Sequence, residues 1–178
     1  MLSLIKEKET KAKELATKFS AALPELKSLY NKHDELPKIK FIEGQTGVRA
    51  ALEEGLEALP SGGELCHISP STQALIDAVG EDWLSCYVKK RVKKNIKCRS
   101  IGANNPWLEN NMKIDAKVKR ESALLPKEAR IPVHLHIMGD KVSIFSLKKD
   151  LVGITIEDRD IAQTIKLLYQ ALWDKYKK

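Results

Sequence analysis

The stretch Lys38-Ile39-Lys40-Phe41-Ile42-Glu43-Gly44-Gln45-Thr46-Gly47-Val48 decides the fold class. Lys38 to Glu43 alternates in the manner of a strand, and Gly44 ends it. Val48, Leu52, Leu56 and Leu59 then recur at helical spacing until Pro60 and the Gly62-Gly63 pair stop them. A strand feeding a helix opens an α/β fold, and the chain repeats the step. Glu64 to Ser69 reads as a second strand and Ser71 to Val79 as a short helix. After Gly80, Leu84, Val88 and Val92 stripe a helix reaching about Lys94, with its basic residues opposite, and Ile96 to Ile101 is a third strand.

Toward the C-terminus, residues 104–128 are mostly polar and predict a loop followed by an irregular helix around Lys113 to Ser122. Val133 to Met138, Lys141 to Leu147 and Leu151 to Ile156 follow so closely that they predict an antiparallel meander. Ile161, Ile165, Leu168, Leu172 and Tyr176 mark a final helix, capped by Asp158 or Asp160. The expectation is an α/β domain, a mixed sheet flanked by helices, over residues 34–178.

Toward the N-terminus, Leu2, Ile5, Ala12, Ala16, Phe19, Leu23 and Leu26 fall on heptad steps, with Lys and Glu at the outer positions. Residues 1–33 therefore predict a coiled-coil helix that breaks near Pro24 and pairs two copies of the chain; docking on its own domain is the alternative.

The 178 residues carry 31 Lys and Arg against 24 Asp and Glu, a net charge of +7. No apolar run of about 18 residues occurs, so neither membrane insertion nor export is expected. Cys66, Cys86 and Cys98 form no Cys-x-x-Cys pair, which argues against a disulfide framework and fits a reducing cytoplasm. The excess of bases is local. Lys89, Lys90, Arg91, Lys93, Lys94, Lys97 and Arg99 lie in a segment without acids, and suit either a solvated helix face or a phosphate-bearing partner.

His134 and His136 leave one face of a strand about 7 Å apart. The sequence offers no third ligand in a Cys-x-x-Cys or His-Glu-x-x-His context, so no metal is expected and the pair reads as the lining of a cleft or as polar groups resting under the basic helix. No phosphate-cradling or nucleophile-elbow motif occurs, and no cofactor is implied. Ligands of α/β sheets sit beyond the carboxyl ends of strands. There the sequence places His67, Ser69, Ser71, Asn104, Asn105 and Trp107, polar groups with one aromatic platform, suited to a neutral polyhydroxylated effector and equally to turn closure.

Taken in order, Lys38 to Val48, Tyr87 to Arg99 and Gly139 to Leu147, with the closing strand and helix, resemble the C-terminal part of TrmB-like transcriptional regulators from about Leu15 to Trp173. The resemblance implies a phospholipase-D-like effector-binding domain behind a dimerising helix, with a small effector that is a sugar in the archaeal sugar regulators. It also implies DNA binding only through a winged helix for which this chain has no space, whether Met1 begins a trimmed chain or a free-standing sensor. Phospholipase-D enzymes need H-x-K-x-x-x-x-D. Alignment on Asp140-Lys141-Val142 puts Pro132, His134 and Gly139 at its positions, and His134-x-His136 with Asp140 is one residue short. No catalytic residue is therefore expected. Phosphodiester cleavage and stand-alone nucleic-acid binding remain the rival readings.

Overall fold

A computed structural model of the chain describes residues 8, 11, 13–20, 36–103, 109, 112–148 and 150–177. The chain divides into two units, Met1–Leu36 and Pro37–Lys178. In the first unit, residues 13–20 are helical (α1). Of the predicted heptad seam, Ala16 and Phe19 lie in this helix, whereas Leu2, Ile5, Ala12, Leu23 and Leu26, like Pro24, lie outside the described residues. Leu15 and Phe19 are 68% and 62% exposed.

The second unit runs β1 (Lys38–Glu43), α2 (Gly44–Ala58), β2 (Glu64–Ser69), α3 (Thr72–Val79), α4 (Glu81–Lys93), β3 (Lys97–Ala103), a 3-10 turn (Ala116–Val118), β4 (Arg120–Leu125), β5 (His134–Met138), β6 (Lys141–Phe145), β7 (Val152–Glu157) and α5 (Arg159–Tyr176). The strands form one seven-stranded sheet in the order β1-β7-β6-β5-β2-β3-β4. The pairs β2–β3 and β3–β4 are parallel and all others antiparallel, so the sheet is mixed.

Local chemistry explains the boundaries. Gly44 takes φ 66°, which a side chain would resist, and its N–H donates to the Leu151 carbonyl at 2.6 Å, turning the chain from β1 into α2. Ser71 caps α3 by accepting from the Ala74 N–H, and Asp158 caps α5 by accepting from the Ile161 N–H. Gly80, at φ 80°, separates α3 from α4.

Helices cover both faces. Against one, Val48, Leu52 and Leu56 of α2, Leu75 and Ala78 of α3 and Tyr87 of α4 pack with Leu65, Cys98, Met138 and Phe145 of the sheet. Against the other, Ala162, Tyr169 and Trp173 of α5 pack with Cys66, Ile101, Ala123, Ile137 and Val142. One helix does not cover that second face fully: Ile39 and Phe41 of β1 remain exposed, Phe41 at 89%.

One feature departs from the sequence reading. The irregular helix expected around Lys113 to Ser122 is a 3-10 turn followed by β4, because Arg120–Leu125 gains a parallel partner in β3. In the sheet, β1 takes the edge beside β7 and is not a neighbour of β2. No described helix is long and apolar enough to cross a membrane.

Candidate functional site

Strand periodicity puts Leu65, His67 and Ser69 of β2 on the face beneath α3 and α4. Antiparallel pairing with β5 sets His67 opposite His136, and two residues further along β2 Ser69 meets His134 through its side chain. The register of the His67–His136 pair, carried across neighbouring strands, builds a polar row: Ser122, Ser100, His67, His136, Ser143 and Thr155 stand side by side from β4 to β7. Ser143 and Thr155 hydrogen-bond each other at 2.9 Å.

The three imidazoles gather where this row meets Ser69. Ring centroids are 5.4 Å apart for His67 and His134, 5.1 Å for His67 and His136, and 4.6 Å for His134 and His136. Phe145 stacks on His134 from the other side. His134 is 0% and His136 3% exposed. Ser69 Oγ lies 2.9 Å from His134 Nδ1. Three further ring nitrogens, His134 Nε2, His67 Nδ1 and His136 Nδ1, are shut off from solvent and have no hydrogen-bond partner among the described residues. Burial disfavours the imidazolium form and pushes His134 down to about 3. Burial likewise holds His67 and His136 well below 6.5, helped at His67 by the neighbouring His134, Arg120 and Arg91, and at His136 by His134, His67 and Arg91. All three are neutral at neutral pH.

A cavity of about 70 Å³ lies between this cluster, α3, α4 and β4, lined by His67, His136, Ser69, Tyr87, Arg91 and Arg120 among others. It admits water or an ion. It is far below the several hundred Å³ of an ordinary small-molecule pocket. A larger groove, about 740 Å³, lies at the amino ends of β2, β3 and β4. Its lining opposes Lys97, Arg99, Lys113, Lys119, Arg120 and Lys177 to Glu64, Asp115 and Glu121. Arg99 donates to Glu64 at 2.6 Å and to Gln170 at 2.7 Å while lying over the Tyr169 and Trp173 rings. Burial works to raise the Glu64 pKa, but the hydrogen bond and charge of Arg99 outweigh it and hold the carboxyl below its usual range.

The predicted effector residues are thus divided. His67, Ser69, His134 and His136 come together, Ser71 serves as the cap of α3, and Asn104, Asn105 and Trp107 lie outside the described residues. The predicted basic patch does not survive as one surface. Arg91 is buried and donates to the carbonyls of Ile96, Lys119 and Val118. Lys94 donates to the Leu56 and Glu57 carbonyls at the end of α2, and Arg99 faces α5 on the opposite side of the sheet. Lys89, Lys90, Lys93 and Lys97 are exposed, Lys90 in an ion pair with Glu53. Cys66 and Cys98 are buried, and burial pushes the Cys66 thiol up to about 12, so it is no thiolate nucleophile. The groove at the amino ends of the strands, the packing of His67 against His134 and His136 as one cluster, and the polar row were not anticipated.

No family model matches the chain, and no curated protein matches it either. Among solved structures, the chain is similar to TrmBL2, described as an archaeal chromatin protein that shows a novel mode of DNA binding. The TM-score is 0.54 at 16% identity over 98% of this chain and 67% of that one. It is also similar to NucT from Helicobacter pylori, with a TM-score of 0.56 at 15% identity over 80% of this chain and 99% of that one. At these identities the likeness is one of fold.

Proposed function

We propose that this chain is the ligand-sensing and dimerising part of a TrmB-like transcription regulator, with a phospholipase-D-like domain behind a paired helix. The likeness to a DNA-binding chromatin protein along nearly the whole chain supports a nucleic-acid-related role. One observation carries the sensing assignment: the groove large enough for a small molecule is lined by opposed charges and contains no histidine, while the imidazoles lie beneath α3 and α4, His134 and His136 buried and His67 half-buried. Such a groove suits recognition of a polar effector. It does not suit nucleophilic attack, which needs a reachable nucleophile beside a base. Exposed Leu15 and Phe19 on α1 suit a helix that meets a second copy. Effector binding would then favour one arrangement of the paired helices by differential affinity.

A thermal-shift screen of sugars and small polar anions, run beside sedimentation, tests this reading. The expected result is a dimer whose Tm rises with at least one ligand, the rise being lost in Lys97→Glu combined with Lys113→Glu. A strict monomer at high concentration that responds to no ligand would overturn it. Hydrolysis of a generic phosphodiester that disappears in His134→Ala would replace it with the enzyme reading.

A further inference from the structure

We propose that His67, His134 and His136 form a binding site for one divalent transition metal ion of the zinc type. Three nitrogens from two neighbouring strands lie within 4.8 Å of one another. Zinc bonded to nitrogen at about 2.1 Å in tetrahedral geometry sets its ligand atoms about 3.4 Å apart, so side-chain shifts of roughly 1 Å close the site. A buried nitrogen without a partner is costly, and three in one cluster call for a common partner. A metal ion takes one nitrogen from each of the three rings at once. Neutral imidazole is the ligating form, and three imidazoles leave the fourth position of a tetrahedral ion open. Ser69 supplies the outer contact that such sites use: by holding His134 Nδ1 at 2.9 Å it leaves Nε2 as the ligand atom.

The surrounding charges select the fourth ligand. Arg91 of α4 and Arg120 of β4 act on His67 and oppose a bare dication, and no carboxylate lines the cavity. The 70 Å³ cavity beside His67 and His136 is lined by the same two guanidiniums, and there a hydroxide or other small anion on the metal is balanced. The site stands independently of the regulator reading, since it requires only this chain.

The test uses tag-free full chain, stripped with a chelator and titrated with Co²⁺ and then Zn²⁺. One Co²⁺ per chain is expected, with the strong visible absorption of a four-coordinate ion, followed by displacement by Zn²⁺. A hundredfold excess of Zn²⁺ over Kd should raise Tm by roughly 5–10 °C. Replacing any one of the three histidines by Gln should weaken binding at least about 100-fold, Ser69→Ala by about 10- to 100-fold, and His33→Ala, at the one other histidine of the sequence, not at all. A folded wild-type chain that takes up no Co²⁺ overturns the proposal. So does uptake that is unchanged in Ser69→Ala and in every His→Gln variant that folds.

Discussion

Ser69 Oγ and His134 Nδ1, from strands that the sequence separates by 65 positions, meet at 2.9 Å beneath two helices. This contact fixes the orientation of one buried imidazole, whose ring also meets Phe145 and the two other histidines. Ser69→Ala should therefore cost about 1–2 kcal/mol in the metal-free chain, because His134 Nδ1 loses its partner while staying buried. Urea denaturation with an unchanged m-value measures it; a midpoint equal to wild type would contradict the assignment.

Acid should destabilise the metal-free chain before its carboxylates titrate. Unfolded imidazoles take up protons near pH 6.5, whereas the folded His134 does so only near 3. Between those values the unfolded state binds more protons. Stability is thus full above about pH 6.5 and falls as pH drops, by about 1.4 kcal/mol per pH unit for each imidazole kept neutral. Denaturation midpoints that stay level from about pH 7 to about pH 5 would refute this.

Arg91 and Lys93 sit two residues apart on α4 and should behave oppositely. Arg91→Met removes the donor to the Ile96 carbonyl before β3 and to two carbonyls at the end of the 3-10 turn, and should cost about 3 kcal/mol or more. Lys93→Ala should stay within about 0.5 kcal/mol. Comparable losses from both would restore the picture of a uniform basic face.

Two glycines should fail for different reasons. A Cβ on Gly153 would come within 3.0 Å of the Ile144 carbonyl and the Phe145 backbone, so Gly153→Ala should cost more than about 3 kcal/mol or prevent folding. A Cβ on Gly44 meets nothing within 4 Å, and its φ of 66° alone limits the cost of Gly44→Ala to about 1–2 kcal/mol. Thermal melts of the two variants read out the difference.

Most of the element order was legible because alternation and helical spacing are local. β1 and β2 appear at the residues where the alternation placed them. β4 was not legible: Arg-Glu-Ser-Ala-Leu-Leu has no β-branched residue and favours helix, and its strand state comes from pairing with β3. Arg91 left a readable trace, since it follows Leu84 and Tyr87 along the buried side of α4, but its charge suggested solvent. The convergence of His67 with His134 and His136 depends on which strands are neighbours, and no local pattern carries that information.

The placement of β1 against β7 also orders the events of synthesis. The first strand emerges from the ribosome early, yet its hydrogen-bonding neighbour, Val152–Glu157, is translated more than a hundred residues later. Until then the backbone edge of β1 that β7 closes stays unpaired, a template for mispairing with other chains. Chaperone dependence during translation should fall sharply once the ribosome has cleared the closing strand.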